Sequence, residues 1–284
     1  MATDLVIECK DLAYRYPNGV EALKGIDLEI HKGEYIAFVG QNGSGKTTLV
    51  KHFVGLLKPS LGEVKVNGTS TSSLKVSALS RQVGYVFQNP DDMLFSSSVE
   101  EEIAFGPRMV GMKVDEIKPR VEKVMVELGL ESLRTEHPFA LSLGDRQRVA
   151  VACALALQPE AFVFDEPTTG QDHFGGRSIM GLIDMLHARG NTVIIITHDM
   201  NLVAEHAHRV VVMNQGRIAL EGPPVVVFSK PEKLQELSLK SPQVTLLARR
   251  LGCTDRVILT VKEMITWLEK SYFKKSAVVK GART

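Results

Sequence analysis

Residues Gly40-Gln41-Asn42-Gly43-Ser44-Gly45-Lys46-Thr47 set three glycines, a lysine and a hydroxyl at the spacing GxxxxGK[ST]. Glycine lets a backbone wrap closely around an anion. Successive N–H groups then point at phosphate oxygens, and the N-terminus of a following helix adds its dipole. In this reading Lys46 brings positive charge to the terminal phosphates of a nucleotide and the Thr47 hydroxyl ligates Mg²⁺, with Thr48 beside it as a further nucleotide-binding candidate. A second group completes the chemistry. Phe162-Val163-Phe164 runs into Asp165-Glu166, so an apolar run ends in paired carboxylates. Asp165 is the candidate for the Mg²⁺ coordination shell, and Glu166 for orienting or deprotonating an attacking water.

Such groups need rigid elements behind them. Tyr35–Val39 is a continuous apolar run, as a parallel strand buried on both faces requires, and it leads directly into Gly40. Leu49, Phe53, Leu56 and Leu57 follow at helical spacing. Ala161–Phe164 and Thr192–Ile196 are two more buried-strand patterns, the second running on to His198-Asp199. The first forty residues read as strands, with a turn at Pro17-Asn18-Gly19 and a second strand over Ala22–Ile30. A strand over Val83–Phe87 ends at Gln88, and a mostly helical stretch separates it from Asp165. There Val121, Val124, Met125 and Leu128 share a face, Pro119 is tolerable only near the first turn, and Arg146–Leu157 is Ala- and Leu-rich. Asn214-Gln215-Gly216 joins two strand runs as a hairpin. After Gly222-Pro223-Pro224 come short helical segments over Pro231–Leu239 and Gln243–Leu251. Val261, Met264, Ile265 and Leu268 then form a stripe before a basic end at Lys274, Lys275, Lys280 and Arg283. The pattern predicts an α/β fold.

The chain has 284 residues, with 34 Lys+Arg against 33 Asp+Glu, and this balance argues against a general nucleic-acid binder. No apolar run approaches the ~18 residues that span a bilayer, and the charged N-terminus lacks a signal-peptide core. Cys9, Cys153 and Cys253 lie far apart without a CxxC pair, which predicts buried thiols in a reducing compartment and neither a disulfide framework nor a zinc site.

Leu141-Ser142-Leu143-Gly144-Asp145, followed by Arg146-Gln147-Arg148, resembles the signature of the ABC ATPases (LSGGQ followed by QR). Leu143 and Asp145 depart from that pattern, while Ser142 and Gly144 keep it. Read without a family, Ser142 is a helix N-cap. The resemblance implies in addition that Ser142 and Gly144 face the γ-phosphate of a nucleotide held by another subunit. It further implies that Gln88 reaches Mg²⁺ and the attacking water, that His198 stands at the γ-phosphate, and that Asp172 lies across a dimer interface. Tyr16, 24 positions before Gly40, matches the aromatic that stacks on adenine, with Tyr14 as its neighbour facing the other side of a strand. The motifs run in the family's order from about Leu5 to Gly222.

The Q-loop region Gln88–Phe95, then Val99–Pro107, resembles the energy-coupling-factor and cobalt/nickel importer ATPases, as do Gly216–Pro223 and the helical C-terminal extension. The resemblance implies a P-loop ABC-type nucleotide-binding domain over 1–224, with an N-terminal antiparallel β part and a helical subdomain about 89–157, and a mostly helical extension over 225–284. It implies ATP and Mg²⁺ as cofactors and a second ATPase subunit in a homo- or heterodimer. The remaining partners would be a transmembrane coupling subunit and a substrate-binding membrane subunit, at the cytoplasmic face of the membrane. The cargo would be a vitamin or transition-metal ion. The alternatives are an ATPase of a binding-protein-dependent importer, which differs in the Q-loop segment and tail, and a soluble ABC protein acting on ribosomes or DNA. A single cassette without a long heptad array or basic excess speaks against the latter.

Overall fold

The computed structural model describes residues 4–270. Strands β1 (Leu5–Arg15) and β2 (Glu21–His31) pair as an antiparallel hairpin, and β3 (Tyr35–Val39) leads through the glycine loop into α1 (Lys46–Phe53). β4 (Leu61–Val66), β5 (Thr69–Ser70), the short α2 (Val76–Leu79) and β6 (Val83–Val86) follow. Between β6 and β7 (Ala161–Asp165) lie α3 (Val99–Met109), α4 (Val114–Leu128) and α5 (Leu143–Leu155). Then come α6 (His173–Ala188), β8 (Thr192–Ile196), α7 (Met200–His206) and the hairpin of β9 (Arg209–Asn214) and β10 (Arg217–Gly222). Four helices close the described chain: α8 (Pro224–Phe228), α9 (Pro231–Glu236), α10 (Gln243–Arg250) and α11 (Val261–Leu268).

The strands form two sheets. One is antiparallel, in the order β2-β1-β4-β5; the other runs β10-β9-β3-β8-β7-β6 and is parallel except at its β10 edge. Parallel pairing puts like ends together. Phe38 stands opposite Ile196, and Ile196 opposite Asp165, so the residues after β3, β7 and β8 emerge along one edge. Alternation sends Tyr35, Ala37, Val39, Phe162 and Phe164 into a core shared with α3–α6, and Ile36, Phe38, Ala161 and Val163 into a second core under α1 and the antiparallel sheet. Every residue of β3, β7 and β8 is buried, which explains their unbroken apolar runs.

Several expectations need correction. α1 stops at Phe53 because Gly55 follows in the left-handed region (φ 71°), so Leu56 and Leu57 leave the helical stripe and Leu56 is exposed. Pro119 sits in the second turn of α4 rather than the first; it is exposed, and so is Asp115, whose carbonyl would have met the missing N–H. α5 starts at Leu143, three residues before the apolar run suggested, because Ser142 caps it. On α11 the buried side chains are Met264 and Trp267, packed with Ala248, Cys253 and Ile258, while Val261 and Ile265 face outward. Val227, Phe228 and Leu234 belong to the core of the parallel sheet, so the chain after residue 224 divides between that core and the small Trp267 cluster. The basic end at Lys274, Lys275, Lys280 and Arg283 lies outside the described residues. Cys9 and Cys253 are buried and Cys153 half-buried, all three as free thiols.

Candidate active site

The loop after β3 is shaped by what presses on it. Gly40 (φ 152°) and Gly45 (φ 106°) leave no room for a side chain: a Cβ at Gly40 would stand 2.3 Å from the Met213 carbonyl oxygen, and one at Gly45 would stand 2.7 Å from that of Ala22. The β9–β10 turn clasps the loop from outside, where the Gly216 N–H donates to the Ser44 carbonyl (3.0 Å) and the Lys24 N–H to the Gly216 carbonyl (2.9 Å). Lys46 is buried, and its ammonium donates to the carbonyl oxygens of Gly40 (2.8 Å) and Gln41 (2.9 Å). Burial pulls the Lys46 pKa below the ordinary lysine value, opposed by the charges of Glu166 and Asp165.

Thr47, one residue on, turns its hydroxyl to Asp165, Oγ1 to Oδ1 at 3.4 Å. The other Asp165 oxygen accepts from the Tyr85 hydroxyl at 2.8 Å. Sequence reading missed Tyr85. β6 and β7 are adjacent, with Tyr85 opposite Val163, and only that pairing brings the phenol to the carboxylate two residues further on. Glu166 has left-handed backbone (φ 50°), its N–H donates to the Ile196 carbonyl (2.9 Å), and its side chain is 13% exposed. Glu166 Oε2 lies 2.8 Å from His198 Nδ1, and His198 is 72% exposed. Burial raises the Glu166 pKa above the ordinary carboxylate value, although His198 and Lys46 favour its ionised form. Gln88 is exposed two residues past β6, at the same sheet edge.

Tyr16 lies one residue beyond β1, half-buried, its hydroxyl 3.0 Å from Thr48 Oγ1 on α1. Tyr14 packs edge-on against both Tyr16 and His52, with ring centroids 4.9 Å apart in each case. The two tyrosines therefore touch instead of facing opposite sides, because the β1 register shifts between Tyr14 and Arg15 and the strand then ends.

Ser142, Gly144 and Asp172 assemble a separate group. Ser142 caps α5 by accepting from the Asp145 N–H (3.2 Å), and Asp172 caps α6 by accepting from the Gly175 N–H (2.7 Å). The Gln171 carboxamide lies over Gly144 and Gly175, and Leu143 closes over Gly170. Two further contacts could not be read from the sequence. Arg146 pairs with Asp91 (2.9 Å), tying α5 to the segment after Gln88. Glu102, buried on α3, accepts the N–H groups of Phe95 (2.7 Å) and Ser96 (2.6 Å) and sets Phe95 edge-on to Phe105, with centroids 4.6 Å apart.

This combination of a glycine loop between a buried strand and a helix, carboxylates at the neighbouring strand ends, and a helical insert before β7 defines a P-loop nucleotide-binding domain of ABC architecture. Comparison with known proteins agrees. A family model described as ABC transporter matches residues 23–169, and the chain belongs to that family. The energy-coupling factor transporter ATP-binding protein EcfA of Methanocaldococcus jannaschii is 42% identical over 254 residues, covering 89% of this chain and 91% of that one. The solved cbiO1 from Clostridium perfringens, part of the ABC transporter complex cbiONQ, superposes with a TM-score of 0.73 at 37% identity over 88% of this chain and 98% of its own. An ATP-binding cassette solved as a dimer in a post-hydrolysis state, bound to ADP and Pi, gives 0.68 at 29% identity over 76% and 98%. The chain spans about half the length of other curated relatives that it matches at 43% to 49% identity.

Two outcomes follow. Gly45→Ala forces a Cβ against the Ala22 carbonyl in a left-handed position, at a cost of about 1–3 kcal/mol in strain; isothermal titration should show nucleotide affinity falling at least about tenfold. Glu166 carries a folded-state pKa above its unfolded one, so the folded state binds the extra proton and loses stability as pH rises through the raised value. Glu166→Gln should therefore melt higher than the parent at pH 8, with the gap closing as the pH falls below the ordinary carboxylate range.

Proposed function

We propose that this chain is the ATP-hydrolysing subunit of a membrane ABC importer that energises uptake of a micronutrient, a vitamin or a transition-metal ion. The observation that carries the reading is the convergence of Lys46, the Thr47–Asp165 pair and the Glu166–His198 pair on one edge of the parallel sheet, directly beside the glycine loop. The loop amides from Gly40 to Thr48 and the Lys46 ammonium would bind the phosphates of ATP, and Tyr16 would stack on its base. Thr47 and Asp165 place a hydroxyl and a carboxylate together, an all-oxygen donor pair suited to Mg²⁺, and with Gln88 they would hold that ion. Mg²⁺ bound there would neutralise charge on the phosphates. Glu166, poorly solvated and oriented by His198, takes a proton from a water whose oxygen bonds to the γ-phosphorus while the bridging oxygen leaves with ADP.

Ser142, Gly144 and Asp172 belong in this reading to the complementary half-site, presented to the nucleotide of a second ATPase subunit. The dimeric relative bound to ADP and Pi supports that arrangement. ATP would bridge and close the pair, and hydrolysis would reopen it. Phe95, Phe105, Phe87, Met93, Leu56 and Val76 line an apolar groove of about 270 Å³ beside the Gln88 segment, which suits a helix from a transmembrane coupling subunit. A relative named as an energy-coupling factor transporter ATP-binding protein and another described as part of an ABC transporter complex support this subgroup, and in this reading a substrate-binding membrane subunit completes the assembly. No helix among the described residues is long and apolar enough to cross a membrane. In this reading the transmembrane coupling subunit holds the chain at the cytoplasmic face.

Because each site draws on two chains, ATPase activity of the purified chain should rise more steeply than linearly with its concentration; a linear rise across the dimerisation range overturns the composite site. Glu166→Gln should lose about 10²- to 10⁴-fold in kcat and, with ATP, elute as a dimer by light scattering. A monomer with ATP removes Glu166 from the water-activating role. Co-purification of a polytopic membrane protein with the tagged chain tests the importer assignment, and recovery with ribosomes or DNA-binding proteins refutes it.

A further inference from the structure

Asp145 departs from the signature pattern, which has a glutamine there, and the geometry gives it a specific partner. The Ser142 hydroxyl donates to Asp145 Oδ2 at 2.6 Å while its oxygen accepts from the Asp145 N–H at 3.2 Å. Asp145 Oδ1 is bound by the Arg148 guanidinium, and Arg148 is itself anchored through a bond to the Leu128 carbonyl at the end of α4 (3.3 Å). The carboxylate is thus held from both sides, with its side chain 24% exposed and Ser142 exposed. Burial works against its charge, but Ser142 and Arg148 outweigh it and hold the Asp145 carboxyl below the usual range, so it stays ionised at working pH.

A phosphate oxygen only accepts hydrogen bonds, and Ser142 meets it with its proton already committed to a carboxylate. To serve the phosphate the hydroxyl must rotate away from Oδ2 and break a short, charge-assisted bond. The carboxylate also sets one negative charge beside the place where phosphate charge would arrive. Arg148 offsets part of that charge.

We infer that Asp145 is a positioning residue that withholds the Ser142 proton from the opposing nucleotide and so raises the ATP concentration needed to close the dimer, with Arg148 moderating the effect. The inference rests on the composite-site reading above. Asp145 acts as a brake on ATP-driven closure. A neutral residue of the same shape releases it, because the amide leaves the serine proton more weakly held and carries no charge toward the phosphate.

The test uses the full chain in the Glu166→Gln background, following dimer formation by light scattering against ATP concentration. Asp145→Asn should lower the half-closing ATP concentration about tenfold, and Arg148→Met, which uncovers the carboxylate, should raise it severalfold. In the Asp145→Asn chain, Arg148→Met should have no further effect, since its charge then has nothing to offset; a merely structural role for Arg148 would persist there. With Glu166 restored, Asp145→Asn should change KM for ATP more than kcat. If the parent closes with ATP but Asp145→Asn closes at the same concentration, or Arg148→Met acts equally with and without the carboxylate, the inference is wrong and the composite site stands. If the Glu166→Gln parent never dimerises with ATP, the composite site fails and takes the inference with it.

Discussion

The glycine loop is organised around a buried lysine ammonium held by two of its own carbonyl oxygens. Lys46 can be buried there because the glycine loop brings the Gly40 and Gln41 oxygens onto it, and an unpaired buried charge at that place would be costly. The loop keeps that shape because it is pinned between two structures that are distant in sequence. The Ala22 carbonyl approaches from the antiparallel sheet, and the Met213 and Gly216 backbone approaches from the β9–β10 hairpin. One loop therefore joins both sheets, and its shape couples their packing to the orientation of its amides.

The chemistry then follows from strand direction. In parallel neighbours, carbonyl ends and the turns after them gather on one edge, so Asp165, Glu166 and His198 meet the loop without any of them being close to it in sequence. Burial by the two cores gives these groups their character. It weakens the hold of Lys46 on its proton and favours the protonated form of Glu166, and the mutual attraction of the charges limits both shifts. Burial and named partners shift Lys46 and Glu166 at this shared edge, which is what the proposed hydrolysis would draw on.

The helical insert links this edge to the surface groove. Arg146 joins α5, the helix that Ser142 caps, to Asp91 in the segment after Gln88, and Glu102 holds the backbone of Phe95 and Ser96 at the rim of the groove. A displacement at the groove thus has a chain of hydrogen-bonded, ion-paired and packed contacts by which to reach both Gln88 and the helix that Ser142 caps. Displacing the Phe95 segment costs the two N–H bonds to the buried Glu102 carboxylate, and displacing Asp91 costs its ion pair with Arg146.

Local pattern was enough for much of this. The loop glycines, the apolar runs of β3, β7 and β8, the Ser142 cap and the Asn214-Gln215-Gly216 hairpin all appear in the order of residues, because strand burial, helix capping and tight turns are governed by neighbours along the chain. So do Lys46, Thr47, Asp165 and Glu166, which lie near one another and are the residues proposed to serve the nucleotide phosphates. What local pattern could not supply was anything that depends on which elements lie side by side. Tyr85 on Asp165, Arg146 on Asp91, Glu102 under Phe95, and the contact of Tyr14 with Tyr16 all depend on register and packing between segments far apart in sequence. The outward turn of Val261 and Ile265 was set in the same way, by a small cluster around Trp267 that covers one line of α11 and no more. Side-chain periodicity tells a helix that it has an apolar face, but only the neighbour that occupies the space decides which part of that face is buried.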